Sequence, residues 1–405
     1  MKELVLWISS FFALLISLFW IQVMYFKDVK TSIISRFPKV TILIPAYNEE
    51  KTIAKTINSV LNLTYPKDKI EIIVINDNST DKTPQVVREF KQVKLIYNKH
   101  RGVGKASALN TGLKYASGEL LAVIDADSEV KKDSLKKLIS YFDDTKTGSV
   151  ISSIKIRNPK NIYEHIQRLE YILATFIRKL MSKIDTLHIT PGVLSVYRTK
   201  LIRRLGGFDE NNITEDLEIA LRLRANNYSV KMSPDSVTYT KVPSTFKQLW
   251  NQRIRWFRGF IFNNLKYKKM FMNKKYGLMG KFQLPLNALT FFTIITLFIV
   301  IAYEVITRLY ELIFRILLLK SNVIYSLNFP SLKELLLNIN IKLFFPLTIS
   351  FLLSFYLLNK AHKSMNEKLM LNPALLLYFT VYPMLRTLHW ITAFYKEVIQ
   401  TKRKW

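Results

Sequence analysis

The chain has 405 residues, which is enough for two or three folding units. Its 60 Lys and Arg residues against 30 Asp and Glu residues give a formal charge of +30, which favours an anionic partner such as a nucleic acid, a membrane surface or an anionic substrate. Apolar residues make up 49% of the chain and concentrate in long blocks at its two ends, which favours a membrane over a nucleic acid. The absence of cysteine excludes a disulfide framework, a cysteine-based zinc site and a thiol nucleophile.

The first apolar block, residues 4–25, contains no charged side chain. At about 1.5 Å per residue it can cross a hydrocarbon core of about 30 Å, and it lacks the short apolar region and small-residue cleavage site of a signal peptide. We therefore predict an uncleaved transmembrane helix. The positive-inside rule places the chain from residue 26 onward in the cytoplasm, because Lys2 alone precedes the block. The basic residues that follow it are Lys27, Lys30, Arg36 and Lys39.

The C-terminal part of the chain contains further apolar segments. Residues 282–303 and 341–358 are candidate transmembrane helices, and residues 306–319 form an amphipathic stretch that we place at the membrane interface. Residues 371–395 are a fourth candidate, interrupted by Pro383, Arg386 and His389. A full span there would put the basic tail outside the cell, whereas a re-entrant or interfacial segment would keep it inside. Both arrangements stay open, and both predict a multi-pass protein of the plasma membrane with a cytoplasmic domain.

Residues 38–245 alternate between apolar strands and helical segments. Strands are predicted at "KVTILIPAY", "IEIIVINDNS", "VKLIYN" and "ELLAVIDAD", with a helix between successive strands. This alternation predicts a parallel sheet wrapped by helices, in which ligands bind at the carboxyl ends of the strands. Polar stretches follow three of these strands, so we expect Asp77, Asp125 and Asp127 to line one crevice.

The acids at these strand ends suit a nucleotide diphosphate. One Asp can accept a hydrogen bond from a base or ribose, and two more can hold a divalent cation against the phosphates. The stretch "HRGVGKASALN" places Gly102, Gly104 and Lys105 ahead of a helix, where glycine allows close backbone approach and a lysine at a helix start favours an anion. Its spacing is not that of a P-loop. Each acid alone could be an ordinary turn or cap residue, so the prediction depends on their joint placement.

Two later motifs add further polar residues. A Thr-Glu-Asp sequence precedes an amphipathic helix in "GGFDENNITEDLEIALRL", residues 206–223, where acids could also act as helix caps. In "QLWNQRIRWFRG", residues 248–259, Gln252, Arg255 and Trp256 share one helix face. That face would also suit a basic helix lying on a membrane surface. Both motifs therefore allow a structural role as well as a functional one.

Six short motifs occur in a fixed order between Lys39 and Gly259: "PAYNE", "NDNSTD", "GKASALN", "DAD", "TED" and "QRIRW". Their order and spacing resemble those of the processive family 2 glycosyltransferases of membranes, which include cellulose synthases, hyaluronan synthases and bacterial poly-N-acetylglucosamine synthases. "IKIRNPKN" and "QRLEY" are similar to the last group in particular. The resemblance implies an α/β GT-A (Rossmann-like) domain flanked by N- and C-terminal transmembrane and interfacial helices. It also implies a nucleotide-sugar donor, most often a UDP-sugar.

The resemblance further implies a role for each matching residue. Asp216 would be the catalytic base that accepts the proton of the acceptor hydroxyl, and Asp127 would coordinate Mg²⁺ or Mn²⁺. Arginine suits a diphosphate and tryptophan suits a sugar ring, and one direct displacement would invert the anomeric carbon. The implied donor-binding residues are Ala46, Tyr47, Glu49, Asp77, Lys105 and Asp125. The residues implied to hold the diphosphate and the acceptor are Glu215, Gln252, Arg255 and Trp256.

Two residues depart from the pattern of the resembling proteins. Asn78 stands where they often have glycine, and asparagine also tolerates a left-handed backbone. Pro191 stiffens "TPGVLSVYR", residues 190–198, near the expected acceptor, so the acceptor type stays open. The predicted organisation is a transmembrane helix (1–30), a cytoplasmic GT-A domain (31–245), interfacial helices with the "QRIRW" motif (246–280) and a C-terminal transmembrane and interfacial region (281–405).

Two functions remain open at this point. The first is a polysaccharide synthase that extends a glycan in the cytoplasm and moves it through the membrane. The second adds one sugar to a lipid such as a polyprenyl phosphate or a glycolipid. A non-catalytic scaffold would be expected to have lost the acids, all of which are intact. The predicted partners are a nucleotide-sugar donor, a glycan or lipid-linked acceptor and membrane lipids, without nucleic acid; the oligomeric state is not predicted.

Overall fold

The computed structural model describes residues 2–29, 31, 36–98, 104–319 and 341–401. They fall into two compact units, one within Met1–Tyr25 and Leu286–Lys360, the other within Phe26–Pro285 and Ala361–Trp405. The strands are β1 (Val40–Ala46), β2 (Ile70–Asn76), β3 (Val93–Tyr97), β4 (Leu120–Val123), β5 (Glu129–Val130), β6 (Thr147–Ile156), β7 (Ser195–Arg198) and β8 (Ser229–Thr240). The α-helices are α1 (Lys2–Met24), α2 (Ile53–Leu61), α3 (Thr83–Arg88), α4 (Lys105–Tyr115), α5 (Ser134–Ile139), α6 (Ile162–Lys183), α7 (Thr199–Arg204), α8 (Glu215–Ala225), α9 (Phe246–Lys266), α10 (Leu284–Leu319), α11 (Ile341–Ser364) and α12 (Pro373–Val398).

An eight-stranded sheet in the order β3-β2-β1-β4-β7-β6-β8-β5 forms the centre of the second unit. Strands β1 to β4 are parallel and are connected by α2, α3 and α4, which confirms the predicted alternation of strands and helices. Beyond β4 the sheet is mixed, because β7 runs antiparallel to both β4 and β6, and β5 runs antiparallel to β8. The predicted parallel sheet is therefore found in the first four strands, and the other half has a topology that the alternation did not indicate.

The three central parallel strands, β1, β2 and β4, are buried on both faces over most of their length, which is why their sequences are largely apolar runs. Ile42 and Ile44 of β1 are fully buried in the layer that includes α2 and α5. On the opposite face, α4 approaches the sheet at Gly112, where a Cβ would lie 2.9 Å from Leu43 Cδ2 and 2.8 Å from Ile75 Cδ1. Each fully buried Ile or Leu side chain stabilises the fold by about 1.5–3 kcal/mol. These two layers hold the ends of the parallel strands in place.

The C-terminal helix α12 belongs to the same unit as the sheet. It packs against α6 and α9, with Trp390 stacked on Phe257 of α9 at a ring-centroid distance of 4.1 Å. The segment before it is held by Glu367, which forms an ion pair of 3.1 Å with Lys155 at the end of β6. One side of α12 is thus covered by protein, although its sequence is that of a candidate membrane segment.

Two helices among the described residues are long and apolar enough to cross a membrane, namely Glu3–Met24 and Met279–Leu318. The second one is continuous through α10, so the amphipathic stretch 306–319 is part of the same helix as 282–303. No residue in its most apolar window is buried, so this apolar surface is not covered by the described protein. The candidate segment 341–358 lies in α11, whose first side chains are outside the described residues. Helix α12, which contains most of 371–395, does not reach the same apolar length.

Candidate active site

The carboxyl ends of the central strands bring the predicted acids to one edge of the sheet. The Asp77 amide donates to the Ala46 carbonyl at the end of β1 over 2.8 Å, and Ala46 itself is buried. On the other side of β1, the Ile124 amide donates to the Leu43 carbonyl over 3.0 Å, directly before Asp125. Asp77 and Asp125 therefore lie on either side of the end of β1, although 48 positions separate them in the chain (125 minus 77).

The loops that follow β1 and β2 bind to each other. The Asn48 amide donates to Ser79 Oγ over 3.0 Å, and the Thr80 amide donates to Asn48 Oδ1 over 2.8 Å. Asn78 has a φ of 60°, which confirms that asparagine provides the left-handed turn expected there. Tyr47 in the first loop is 58% exposed, so its ring is accessible to a ligand at this edge.

Asp77 is half-buried and is held by a neighbour that the motifs did not indicate. Asn98 donates from Nδ2 to Asp77 Oδ1 over 2.8 Å and accepts a hydrogen bond from Thr111 Oγ1 of α4 over 3.0 Å. Burial raises the pKa of Asp77, and the hydrogen bond from Asn98 opposes that rise. Asn98 thus fixes one carboxylate oxygen of Asp77 and leaves the other to accept from a ligand.

Lys105 connects an acid at the end of a central strand to the Thr-Glu-Asp motif. It begins α4 directly after Gly104, whose φ of 83° favours glycine; Gly102 lies outside the described residues. Its ammonium forms an ion pair with Asp125 and lies 3.3 Å from Glu215 Oε1. Burial raises the pKa of the Glu215 carboxyl to about 7, and the charge of Lys105 opposes this rise. One lysine therefore joins strand β4 to the start of α8.

Asp127 lies two residues beyond Asp125 in a cluster of negative charge. Burial, together with the nearby carboxylates of Asp125 and Glu49, raises the pKa of Asp127 to about 7. Ser128 Oγ donates to Asp127 Oδ1 over 3.2 Å. Among the described residues, no group of three or more His, Asp or Glu side chains is arranged to hold a metal ion. A cation bound beside Asp127 would therefore stabilise the ionised form of its carboxyl group.

Asp216 is the second residue of α8 and contacts the loop that contains Pro191. Thr190 donates from Oγ1 to the Asp216 backbone carbonyl over 2.6 Å, and Ser195 Oγ donates to the Pro191 carbonyl over 2.6 Å. Burial raises the pKa of Asp216, while the charges of Lys105 and then Arg255 oppose the rise. A carboxylate with a raised pKa is a better proton acceptor at neutral pH than an exposed aspartate.

Helix α9 crosses close to the start of α8 because Gly259 has no side chain. A Cβ at Gly259 would lie 2.8 Å from Thr214 Cβ. Asn263, one turn further along α9, donates to Thr214 Oγ1 over 3.0 Å and to Asn212 Oδ1 over 3.2 Å, and all three side chains are buried. This crossing places Arg255, one turn before Gly259, where its charge acts on both Glu215 and Asp216.

Gln252 and Trp256 form a second group beside these charges. Gln252 Oε1 accepts a hydrogen bond from Arg253, and the Trp256 ring centroid lies 6.5 Å from that of Tyr171 in α6. Both residues are half-buried. The structure therefore brings five of the predicted residues into one charged cluster, namely Lys105, Asp125, Glu215, Asp216 and Arg255. Asp127 and Glu49 lie close to Asp125. Gln252 and Trp256 contact Arg253 and Tyr171 instead.

Comparison with known proteins decides the family. A family model described as Glycosyl transferase family 2 matches residues 41–206. The probable glycosyltransferase YdaM of Bacillus subtilis is 32% identical over 296 residues, a region that covers 66% of this chain and 70% of that protein. The chain belongs to glycosyltransferase family 2. The resemblance drawn from the sequence motifs is thereby confirmed.

This glycosyltransferase is also similar to a polysaccharide synthase in sequence and to a mannosyltransferase in structure. The chain is 32% identical over 268 residues to a poly-β-1,6-N-acetyl-D-glucosamine synthase of Staphylococcus epidermidis. The matched region covers 62% of this chain and 64% of the synthase, which is slightly under two thirds of the length of the synthase. The structure of this chain is similar to the mannosyltransferase PcManGT from Pyrobaculum calidifontis, solved with GDP-Man and Mn²⁺, with a TM-score of 0.62 and 20% identity over 99% of this chain and 100% of that one. At that identity the likeness shows the fold, and the predicted GT-A fold is confirmed.

Helix α6 of the glycosyltransferase supplies site residues that the motifs did not assign. Tyr171 and Arg178 are seven positions apart and so share one face of the helix. Burial lowers the pKa of Arg178, and the charges of Tyr171, Asp216 and Glu170 oppose this, while Arg178 makes no hydrogen bond or ion pair with any other described residue. Tyr171 is the last residue of the "QRLEY" stretch, so the resemblance of that stretch could have indicated a role for it. The spacing of seven residues between Tyr171 and Arg178 indicates a shared role only when α6 is known to face the site.

The close approach at Gly192 yields the first prediction. A Cβ there would lie 2.7 Å from Asp125 Oδ1 and would also collide with Lys105 Nζ. We expect Gly192→Ala to displace the Lys105–Asp125 pair and to weaken UDP binding by about tenfold, which corresponds to about 1.4 kcal/mol. Isothermal titration with UDP and Mn²⁺ measures the change.

Gly148→Ala is the matched control for this substitution. A Cβ at Gly148 would lie 2.9 Å from Tyr228 Cβ and 3.0 Å from Leu223 Cδ2, outside the cluster of predicted site residues. It should lower the thermal midpoint without changing UDP affinity. If Gly192→Ala bound UDP as tightly as Gly148→Ala, the Lys105–Asp125 pair would have no role in donor binding.

Proposed function

We propose that this glycosyltransferase is an inverting, membrane-embedded polysaccharide synthase that uses a UDP-sugar donor. The observation that carries the proposal is the joining of Lys105 to Asp125 and Glu215, because it places donor-side acids next to Asp216. The sequence similarity to poly-β-1,6-N-acetyl-D-glucosamine synthases supports a polymer product. It also makes UDP-N-acetylglucosamine the first donor to test.

The donor is proposed to bind at the edge formed by β1, β2 and β4. The exposed Tyr47 and the free oxygen of Asp77 face the nucleoside. Glu49 lies in the same loop as Tyr47, which follows directly after Ala46 at the end of β1. Lys105 offers its ammonium to the phosphates while it holds Asp125. A lysine already anchored by a carboxylate loses little side-chain freedom when it binds an anion.

Asp127 is the residue proposed to hold Mg²⁺ or Mn²⁺. Its carboxylate is a hard oxygen donor of the kind these ions prefer, and the excess of negative charge from Asp125 and Glu49 raises its pKa, so the residues present fit a divalent cation. Such an ion offsets charge on the leaving diphosphate. Among the described residues no group of three or more His, Asp or Glu side chains is arranged to hold the ion by itself, so the donor would have to contribute further oxygen ligands beside Asp127.

The transfer step assigns the proton to Asp216. The acceptor hydroxyl oxygen forms a bond to the anomeric carbon, the bond from that carbon to the diphosphate oxygen breaks, and the hydroxyl proton moves to the Asp216 carboxylate. Arg255 lies close enough to Glu215 and Asp216 to act on both charges, and its guanidinium would stabilise the departing diphosphate. Gln252 and Trp256 would hold the acceptor sugar. A single displacement of this kind inverts the anomeric configuration.

Membrane embedding is proposed from the two long apolar helices, Glu3–Met24 and Met279–Leu318. The second has no buried residue in its most apolar window, as a helix in contact with lipid would. The excess of basic residues after α1 favours a cytoplasmic catalytic domain in a multi-pass plasma-membrane protein. Membrane lipids and a glycan acceptor would then be its partners.

Transfer of one sugar to a membrane lipid is the second candidate. It is favoured by the direct hydrogen bond between Thr190 and the Asp216 carbonyl, because this places the Pro191 loop at the acceptor side of the base. A rigid loop there would limit the space for an extended glycan.

Product size distinguishes the two candidates. The full-length protein in lipid vesicles would be incubated with Mn²⁺ or Mg²⁺ and radiolabelled UDP-sugars, beginning with UDP-N-acetylglucosamine. A ladder of long products from one donor is expected and would identify its sugar. A single lipid-soluble labelled species would establish the second candidate, and the absence of transfer from every UDP-sugar would contradict the proposed donor class.

A further inference from the structure

Arg253 stands between Gln252 and Arg255 in the "QRIRW" motif, where sequence spacing assigns it no role. Its side chain is 0% exposed and is among the largest fully buried side chains of the described residues. A buried guanidinium is strongly unfavourable unless it is paired and hydrogen-bonded. The partners of Arg253 therefore show what its burial achieves.

Two other helices supply those partners. Arg253 Nη2 lies 2.6 Å from Glu170 Oε2 of α6, and Tyr382 Oη of α12 donates to the same Glu170 oxygen over 2.7 Å. Arg253 Nε also lies 3.5 Å from Tyr382 Oη. Residues from three helices, far apart in the chain, thus share one buried polar network.

The network ends at the two residues proposed to hold the acceptor. Arg253 Nη1 donates to Gln252 Oε1, and Arg253 Cζ lies 4.2 Å from the centroid of the Trp256 ring. The hydrogen bond occupies the Gln252 amide oxygen and so leaves the amide nitrogen to donate to a ligand. The guanidinium holds the indole ring of Trp256 in position. Tyr171 confines the same indole at 6.5 Å.

We propose that Glu170, Arg253 and Tyr382 form a positioning network that sets Gln252 and Trp256 to bind the acceptor sugar. Helix α12 is then required for acceptor binding, although Tyr382 is connected to Gln252 and Trp256 only through Glu170 and Arg253. The proposal rests on the proposed acceptor role of Gln252 and Trp256. It adds that their orientation is controlled by the C-terminal helix.

The chain contains a matched ion pair that lacks this connection. Arg258 Nε lies 2.6 Å from Glu397 Oε1, and Arg258 Nη2 donates to the Thr401 carbonyl over 2.6 Å. This pair also joins α9 to α12 and is similarly buried. Within the part of the chain that the structure describes, neither side chain forms a hydrogen bond or ion pair with Gln252 or Trp256. Loss of either connection should loosen α12, whereas only loss of the first should disturb the acceptor residues.

The test compares Tyr382→Phe with Glu397→Gln in the full-length protein in lipid vesicles. The donor is UDP-N-acetylglucosamine with Mn²⁺, and the probe acceptor is a short N-acetylglucosamine oligosaccharide. We expect Tyr382→Phe to raise the KM for the oligosaccharide by about fivefold or more, at unchanged UDP affinity, since one hydrogen bond of about 1 kcal/mol is lost from the network. Glu397→Gln should leave that KM unchanged and lower only the thermal midpoint.

A second variant covers the possibility that one hydrogen bond has too small an effect. Arg253→Lys keeps the charge but removes the planar fork, so it should raise the acceptor KM further while UDP binding shows that the fold persists. The proposal is overturned if Tyr382→Phe and Arg253→Lys both retain the wild-type acceptor KM, or if Glu397→Gln raises it equally. Wild-type protein that transfers no sugar to the probe contradicts the proposed function instead, before any variant is compared.

Discussion

Asp216→Asn is expected to abolish sugar transfer while leaving UDP binding nearly unchanged. The carboxylate is the proposed proton acceptor, and loss of a positioned general base reduces rates by about 10²–10⁴-fold. The contact with the Pro191 loop uses the Asp216 backbone carbonyl, which accepts from Thr190 Oγ1. The Leu217 amide donates to Asp216 Oδ1 over 2.8 Å, and an asparagine Oδ1 can accept the same hydrogen bond, so the substitution should keep the loop and helix α8 in place. Burial raises the pKa of Asp216, so a neutral amide should not lower the thermal midpoint.

Two measurements check this expectation. Transfer is followed with radiolabelled donor, and UDP binding with Mn²⁺ is followed by isothermal titration. Asp209→Asn is the control, because it makes the same isosteric change shortly before α8, at a residue paired with Lys266 rather than with the cluster. A loss of UDP affinity as large as the loss of transfer would assign Asp216 to donor binding and not to the base.

Asp127→Asn is expected to lose both transfer and the Mn²⁺-dependent part of UDP binding. An ion at this position would contribute several kcal/mol of charge stabilisation, so transfer should fall by at least about 100-fold. The protein should remain folded, because the substitution removes one negative charge from beside Asp125 and Glu49. Titration of UDP with and without Mn²⁺ separates loss of the ion from loss of the fold.

The control for Asp127 is Asp133→Asn. Asp133 is a half-exposed acid six residues further along the chain, directly before α5, and it is paired with Lys137 of that helix. The Asp133→Asn substitution should change neither activity nor UDP affinity. Full activity of Asp127→Asn in a reaction that still requires Mn²⁺ would show that the ion binds elsewhere.

The sequence patterns predicted the meeting of the acids at one edge of the sheet, where the donor is proposed to bind. Each parallel strand is a local apolar run, and parallel strands end on a common edge, so the acids after β2 and β4 had to meet beside the end of β1. The left-handed Asn78 follows from local backbone preference in the same way. These features depend on residues that are close together in the chain, so they can be predicted from one sequence.

The part of the site proposed to bind the acceptor depends on contacts between residues that are far apart in the chain. Gln252, Arg255 and Trp256 could be placed on one helix face, but the crossing of α9 with α8 is decided by the fit of Gly259 against Thr214. The antiparallel insertion of β7 between β4 and β6 was likewise not visible, because strand order beyond the alternating segment depends on packing of the whole sheet.

The sequence by itself determined the family, the acids at the ends of the parallel strands and the apolar segments 4–25 and 282–303, since each depends on residue type and local spacing. The tertiary structure alone decided that Arg253 is the buried arginine of its motif and that α12 reaches it through Tyr382 and Glu170. A buried charge is stable only where a partner meets it. Its partner here lies 83 positions away, at a distance that no local pattern encodes.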